Sequence, residues 1–118
     1  MINKDSELPL KWGKVLNYLE TTIGKRPVDL NAVLFLIGIE ELGKGAVEFT
    51  KEQKQDLMHI AICKVLSLSG FYRLGGLDEE GWPHWKLIKK LPRFDLLEQE
   101  KLLKLSIIEY FESEVWKK

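Results

Sequence analysis

Ala32-Val33-Leu34-Phe35-Leu36-Ile37-Gly38-Ile39 is the run on which the fold class turns. An unbroken apolar stretch of this length suits either a buried strand or a helix that is apolar on every side, and periodicity cannot separate the two. The residues that follow decide it. Glu40-Glu41-Leu42 carries the run onward with no turn signal, which favours a helix capped by Asp29 or Asn31 and buried all round. Inside that helix, Gly38 permits a neighbouring element to approach closely.

The flanking segments repeat the helical pattern. Upstream, Trp12, Val15, Leu16, Leu19 and Ile23 recur at helical spacing, Pro9 suits a first turn and Gly24 the position after a last one. Downstream, Gly43-Lys44-Gly45 ends the central element, and Thr50 with Gln53 forms a capping-box pattern for a helix running to about Ser67. After Ser69-Gly70, the segments Phe71-Tyr72-Arg73-Leu74, Gly75-Gly76 and Trp85-Lys86-Leu87-Ile88 read as a small hairpin-like excursion over residues 71–90, closed by Pro92. Asp95 and Glu98 then open a last helix bearing Leu102, Leu103, Ile107, Tyr110, Phe111 and Val115. The expectation is a mainly α fold, a compact bundle of about four helices with a small β-hairpin-like insertion, in a single domain over residues 1–118.

Composition narrows the setting. The chain has 118 residues, 45% of them apolar, which is enough for one ordinary core. Its 18 basic and 18 acidic residues cancel, so no overall field draws it to phosphate backbones or to an anionic membrane. The single cysteine, Cys63, rules out an intramolecular disulfide and points to a reducing compartment. With no apolar segment of signal-peptide length near the N-terminus, the expected address is cytoplasmic.

The chemistry-bearing residues concentrate in Asp78-Glu79-Glu80-Gly81-Trp82-Pro83-His84-Trp85, where carboxylates, a histidine and two tryptophans crowd a Gly/Pro-bent segment. These residue types are those of binding pockets and interface hot spots, so Trp82, Trp85, Asp78 and Glu80 are the candidate interface. A second constellation is the stripe Glu52, Asp56, His59 and Cys63, each three or four positions from the next on one helix face. Together with Glu40, Glu41 and His84, the pair Asp56 and His59 forms a candidate site for a divalent transition metal, if the segments converge. Lys44 is the plain alternative partner for the carboxylates at 40 and 41. A third reading places Lys86, Lys89, Lys90 and Arg93 behind the two tryptophans as a weak single-stranded nucleic-acid binder, which the zero net charge disfavours. No nucleophile, Walker or dinucleotide signature is present, which argues against an enzyme. The helical aromatics Trp12, Tyr18, Tyr110, Phe111 and Trp116 either form simple core, the commoner use of rings at helical spacing, or exceed what one small core covers and leave aromatic surface for a partner.

The strings Glu41-Leu42-Gly43-Lys44-Gly45, Lys54-Gln55-Asp56-Leu57-Met58-His59-Ile60-Ala61 and Asp78 to Trp85 resemble those of a family of small bacterial proteins of uncharacterised function. The resemblance spans about residues 28 to 112 and implies a bacterial cytoplasmic origin, with no activity, cofactor or catalytic residue attached. The expected function is a non-enzymatic protein-interaction module that binds a partner protein or a second copy of itself, with the metal site as the rival reading.

Overall fold

The computed structural model describes residues 4–45, 47–93 and 95–116. Its elements run α1 (Lys4–Ile23), α2 (Leu30–Leu42), α3 (Lys51–Ser67), β1 (Tyr72–Leu77), β2 (Pro83–Leu87) and α4 (Leu96–Tyr110), followed by a π-helical segment, Phe111–Val115. The fold is therefore mainly helical, with four helices and one antiparallel hairpin among the described residues. No helix among them is long and apolar enough to cross a membrane. The chain forms two compact units, one made of residues Met1–Leu30 with Phe94–Lys118, the other of Asn31–Arg93.

In the unit formed by the chain ends, α1 pairs with α4. Val15 and Ile107 are fully buried, each worth roughly 1.5–3 kcal/mol of transfer free energy. The helix begins at Lys4 rather than at Pro9, so Pro9 sits in its second turn, where it lacks the N–H that would bond the Asp5 carbonyl. At the other end, the Gly24 N–H closes α1 on the Glu20 carbonyl at 2.8 Å. Asp95 caps α4 as expected, its carboxylate accepting from the Glu98 N–H at 2.8 Å. Beyond Tyr110 the helix widens into π geometry, with the Trp116 N–H bonded to the Phe111 carbonyl at 2.7 Å. That wide turn brings Trp116 to 5.4 Å from the Phe111 ring and 5.5 Å from Tyr18, edge on to the latter. Tyr18, Tyr110, Phe111 and Trp116 thus pack on one another, and Lys104 Nζ stands 5.4 Å from the centre of the Trp12 ring. No described aromatic side chain is exposed; the uncovered apolar surface is aliphatic, at Val28, Leu96 and Leu97.

The unit of residues 31–93 is built on α2 and α3. The decisive run is a helix, and Val33, Leu34, Ile37, Gly38 and Leu42 are buried on it. It is not buried all round, since Phe35, Leu36 and Ile39 are half-covered and Asn31 is exposed. Gly38 has the expected role: a Cβ there would overlap the Leu57 carbonyl oxygen of α3 and lie 2.7 Å from the carbonyl carbon. The absence of a side chain is what lets the two backbones touch. Around this contact Leu42, Leu57 and Ile60 form a core against which Phe35, Ile39, Phe49 and Trp82 pack. α3 starts with the complete capping box, Gln53 N–H to Thr50 Oγ1 at 3.1 Å and Thr50 N–H to Gln53 Oε1 at 2.9 Å.

The hairpin pairs Tyr72 with Leu87, Arg73 with Lys86 and Leu74 with Trp85, then shifts register so that Gly76 faces His84 and Leu77 faces Pro83. A bulge between Leu74 and Gly76 makes the shift, and Gly76 takes φ +119°, which a side chain would strain. Alternation about the ribbon turns Tyr72, Leu74, Trp85 and Leu87 to one face and Arg73 with Lys86 to the other. Tyr72, on the apolar face, reaches α3 through its hydrogen bond with the buried Cys63.

Candidate functional site

α3 and the hairpin enclose a cleft of about 370 Å³ lined by Gln53, Asp56, His59 and Ile60 from the helix and by Asp78, Glu80, Trp82, Pro83, His84 and Trp85 from the hairpin. Its volume lies within the range of small-ligand pockets. The helix contributes residues 53, 56, 59 and 60 because these share one face at 100° per residue. The hairpin contribution depends on Asp78. One of its carboxylate oxygens accepts from the N–H groups of Glu80 and Trp82, both at 2.9 Å, and the other lies 3.0 Å from His84 Nε2. The Asp78 N–H also donates to the Trp82 carbonyl at 2.9 Å, which closes the loop. These bonds, first the Trp82 N–H and then His84, hold the Asp78 carboxyl below its ordinary value against a small opposing effect of burial. Asp78 is therefore ionised at neutral pH and committed to shaping the loop.

Two further anchors hold the loop over α3. Trp82 stands edge on to Phe49 at 6.5 Å, and Phe49 edge on to Phe35 at 6.2 Å, a chain of rings leading from the cleft to α2. Lys44 donates from Nζ to the Glu80 carbonyl. With Asp78 engaged, Asp56 and Glu80 are the cleft carboxylates whose side chains have no hydrogen-bond or ion-pair partner among the described residues. Among the described residues, no lysine or arginine lines the cleft. In a chain of zero net charge, this is a local concentration of negative charge beside two indole rings. The Trp85 Nε1 atom is buried with no hydrogen-bond partner among the described residues.

The stripe Glu52, Asp56, His59 and Cys63 divides. Asp56 and His59 face the cleft, Glu52 is exposed outside its lining, and Cys63 is fully buried beneath it. His59 Nε2 lies 3.5 Å from Cys63 Sγ. Burial pushes the thiol up to about 11, only partly countered by the hydrogen bond with Tyr72. Cys63 is thus a neutral thiol at neutral pH. Of the candidate metal ligands, Asp56, His59 and His84 share the cleft, whereas Glu40 and Glu41 on the last turn of α2 do not line it. Among the described residues, no three His, Cys, Asp or Glu side chains stand close enough to hold a metal ion.

All four interface candidates, Asp78, Glu80, Trp82 and Trp85, lie in the cleft wall. Both tryptophans are half-buried, with Trp82 also packed against the core of Leu42, Leu57 and Ile60. Sequence reasoning missed Gln53 and Ile60, although each is one helical step from Asp56 and His59 and was legible from the same periodicity. It also missed Tyr72, which only the strand register assigns to a face. No protein-family model, no curated protein and no solved structure matches the chain.

Proposed function

We propose that the chain is a non-enzymatic protein-interaction module whose contact is the α3–hairpin cleft, and that the cleft takes a basic side chain of its partner. The observation that carries this reading is the makeup of the cleft: carboxylates of Asp56 and Glu80 without partners, two tryptophans, and no cation in the lining. A lysine ammonium or arginine guanidinium satisfies both features at once, through charge-assisted hydrogen bonds and attraction to an indole face worth about 0.5–2 kcal/mol. The protonated thiol of Cys63 and the structural engagement of Asp78 leave no activated nucleophile, which supports binding rather than catalysis. A reducing cytoplasm is the compartment this reading assigns, on the strength of the lone buried cysteine.

The test is a tryptophan-fluorescence titration with short peptides carrying lysine, arginine, norleucine or glutamate at the central position. Lysine and arginine peptides should perturb emission saturably, with affinity reduced by salt and by Asp56→Asn combined with Glu80→Gln. An equal response to norleucine, or none to the basic peptides, overturns the reading. Sedimentation of the free protein distinguishes a second copy of the chain from a different protein as the partner.

A further inference from the structure

Pro83, His84 and Trp85 are consecutive in β2 and all line the cleft, although alternation turns the first and third to one face and the second to the other. What residues of both faces share is the edge of the strand, so the cleft runs along the outer edge of β2. No residue of β1 lines it. The sheet has only these two strands among the described residues, which leaves that edge without a neighbouring strand. Its main-chain groups follow from the ladder. At one end the Ile88 N–H bonds the Phe71 carbonyl at 2.9 Å, and at the other the Trp82 carbonyl accepts from the Asp78 N–H at 2.9 Å. Residues 82, 84, 86 and 88 therefore direct their groups to β1, and residues 83, 85 and 87 direct theirs outward. The outward groups are the Pro83 carbonyl and the N–H and carbonyl of Trp85 and of Leu87. None of them has a hydrogen-bond partner among the described residues. The opposite edge of the sheet is blunted, since the bulge between Leu74 and Gly76 breaks the row of groups on β1.

We infer that the partner's basic residue arrives on an extended segment that pairs with β2 as an added antiparallel strand. This pairing presupposes the cation-accepting cleft proposed above and adds the conformation of the partner's backbone. Strand addition draws affinity from main-chain hydrogen bonds while alternate side chains enter pockets. A segment residue directly opposite Trp85 exchanges two main-chain bonds with it and turns its side chain to the same face as Trp85. That face carries Tyr72, which bonds Cys63 of α3, so the side chain is aimed at the helix that bears the unpartnered Asp56 carboxylate. Residues two places to either side meet Leu87 and Pro83, where the proline offers a carbonyl and no N–H. A helical occupant satisfies its own backbone and would leave the Trp85 and Leu87 groups unmet, so the open edge selects an extended segment. Asp56 and Glu80 select a basic one.

The test compares, by tryptophan fluorescence, a short blocked peptide with a central lysine between valine and threonine residues against lysine blocked at both ends. Both carry the cation, and only the first carries a strand. The peptide should bind at least about tenfold more tightly, through its further main-chain bonds. Methylating the backbone nitrogen of the central lysine, which faces β2, should cost about tenfold, and methylating that of either neighbour, which faces away, less than about twofold. Leu87→Pro removes an outward N–H and none from the ladder, so it should weaken the peptide by a similar factor and leave blocked lysine unchanged. In the complex the Trp85 and Leu87 amides should gain protection from hydrogen exchange. Strand addition is overturned, with the cation site intact, if blocked lysine binds as tightly as the peptide or if the two methylated positions are equivalent. It is also overturned if protection of Trp85 and Leu87 in the free protein rises with protein concentration, since a second copy then holds the edge. Failure of every lysine probe to bind removes the cation site and the pairing together.

Discussion

Gly38→Ala should destabilise the unit of residues 31–93, against the usual preference for alanine in helices. A Cβ at position 38 would overlap the Leu57 carbonyl oxygen and come within 2.7 Å of the Leu57 carbonyl carbon and 3.0 Å of its Cβ. Carbon atoms pack best at about 3.5–4.0 Å, so α2 and α3 must separate by about 1 Å at this point. The obstacle is backbone, which cannot rotate aside as a side chain would. Overpacking of this kind costs about 1–3 kcal/mol, and an immovable neighbour places Gly38 at the upper end, near 3. Alanine returns about 1 kcal/mol of helix propensity, leaving a net loss of about 2 kcal/mol. Gly13→Ala is the internal control, because it lies within α1 and a Cβ there meets nothing within 4 Å. It should gain about 0.5–1 kcal/mol. Urea unfolding followed by circular dichroism and tryptophan emission compares the two, with midpoints read at constant slope. If Gly38→Ala is as stable as the parent, or if both substitutions move stability the same way, the close approach of α2 to α3 is wrong.

Other consequences are equally direct. Thr50→Ala removes one half of the α3 capping box and should cost about 1 kcal/mol by the same unfolding assay, with Thr50→Ser retaining most of it. Asp78 titrates below its ordinary value in the folded chain, so its contribution to hairpin stability is complete above the unfolded-state pKa near 4 and is lost as pH falls through the lower folded value. Acid titration of the Trp82 amide resonance should show that loss, and Asp78→Asn should remove the acid-dependent step. Cys63 should resist a thiol reagent at neutral pH in the native protein and react promptly in denaturant, whereas native reactivity would contradict its full burial.

What the sequence disclosed follows from the range over which each signal acts. The helical nature of α2 was readable because Glu40-Glu41-Leu42 extended an apolar run without a turn, and the start of α3 because Thr50 and Gln53 satisfy each other within one turn. Gly38 was readable as a close-approach residue, since a glycine inside a buried helix costs stability unless something fills its space. The bulge at Gly75-Gly76 was readable only as a turn-prone pair, because register depends on how Tyr72 and Trp85 meet their partners. Convergence was least legible. Periodicity puts Asp56 and His59 on one face and Glu40 and Glu41 at one helix end, but it does not say which face meets which. The structure joins the first pair to Asp78 and His84 and leaves the second out of the cleft. The covering of Trp116 has the same origin: the π turn that folds it back onto Phe111 and Tyr18 has no local sequence signal.

The most direct test of the central claim is an amide and indole nuclear magnetic resonance titration with a blocked lysine amide, compared with its norleucine counterpart. A cleft that accepts a basic side chain predicts saturable shifts of the Trp85 and Trp82 indole N–H resonances and of the Asp56, His59 and Glu80 amides, with Val15, Leu19 and Ile107 unmoved and no response to norleucine. Shifts scattered over the whole chain, none in the cleft, or the same shifts with norleucine would contradict it.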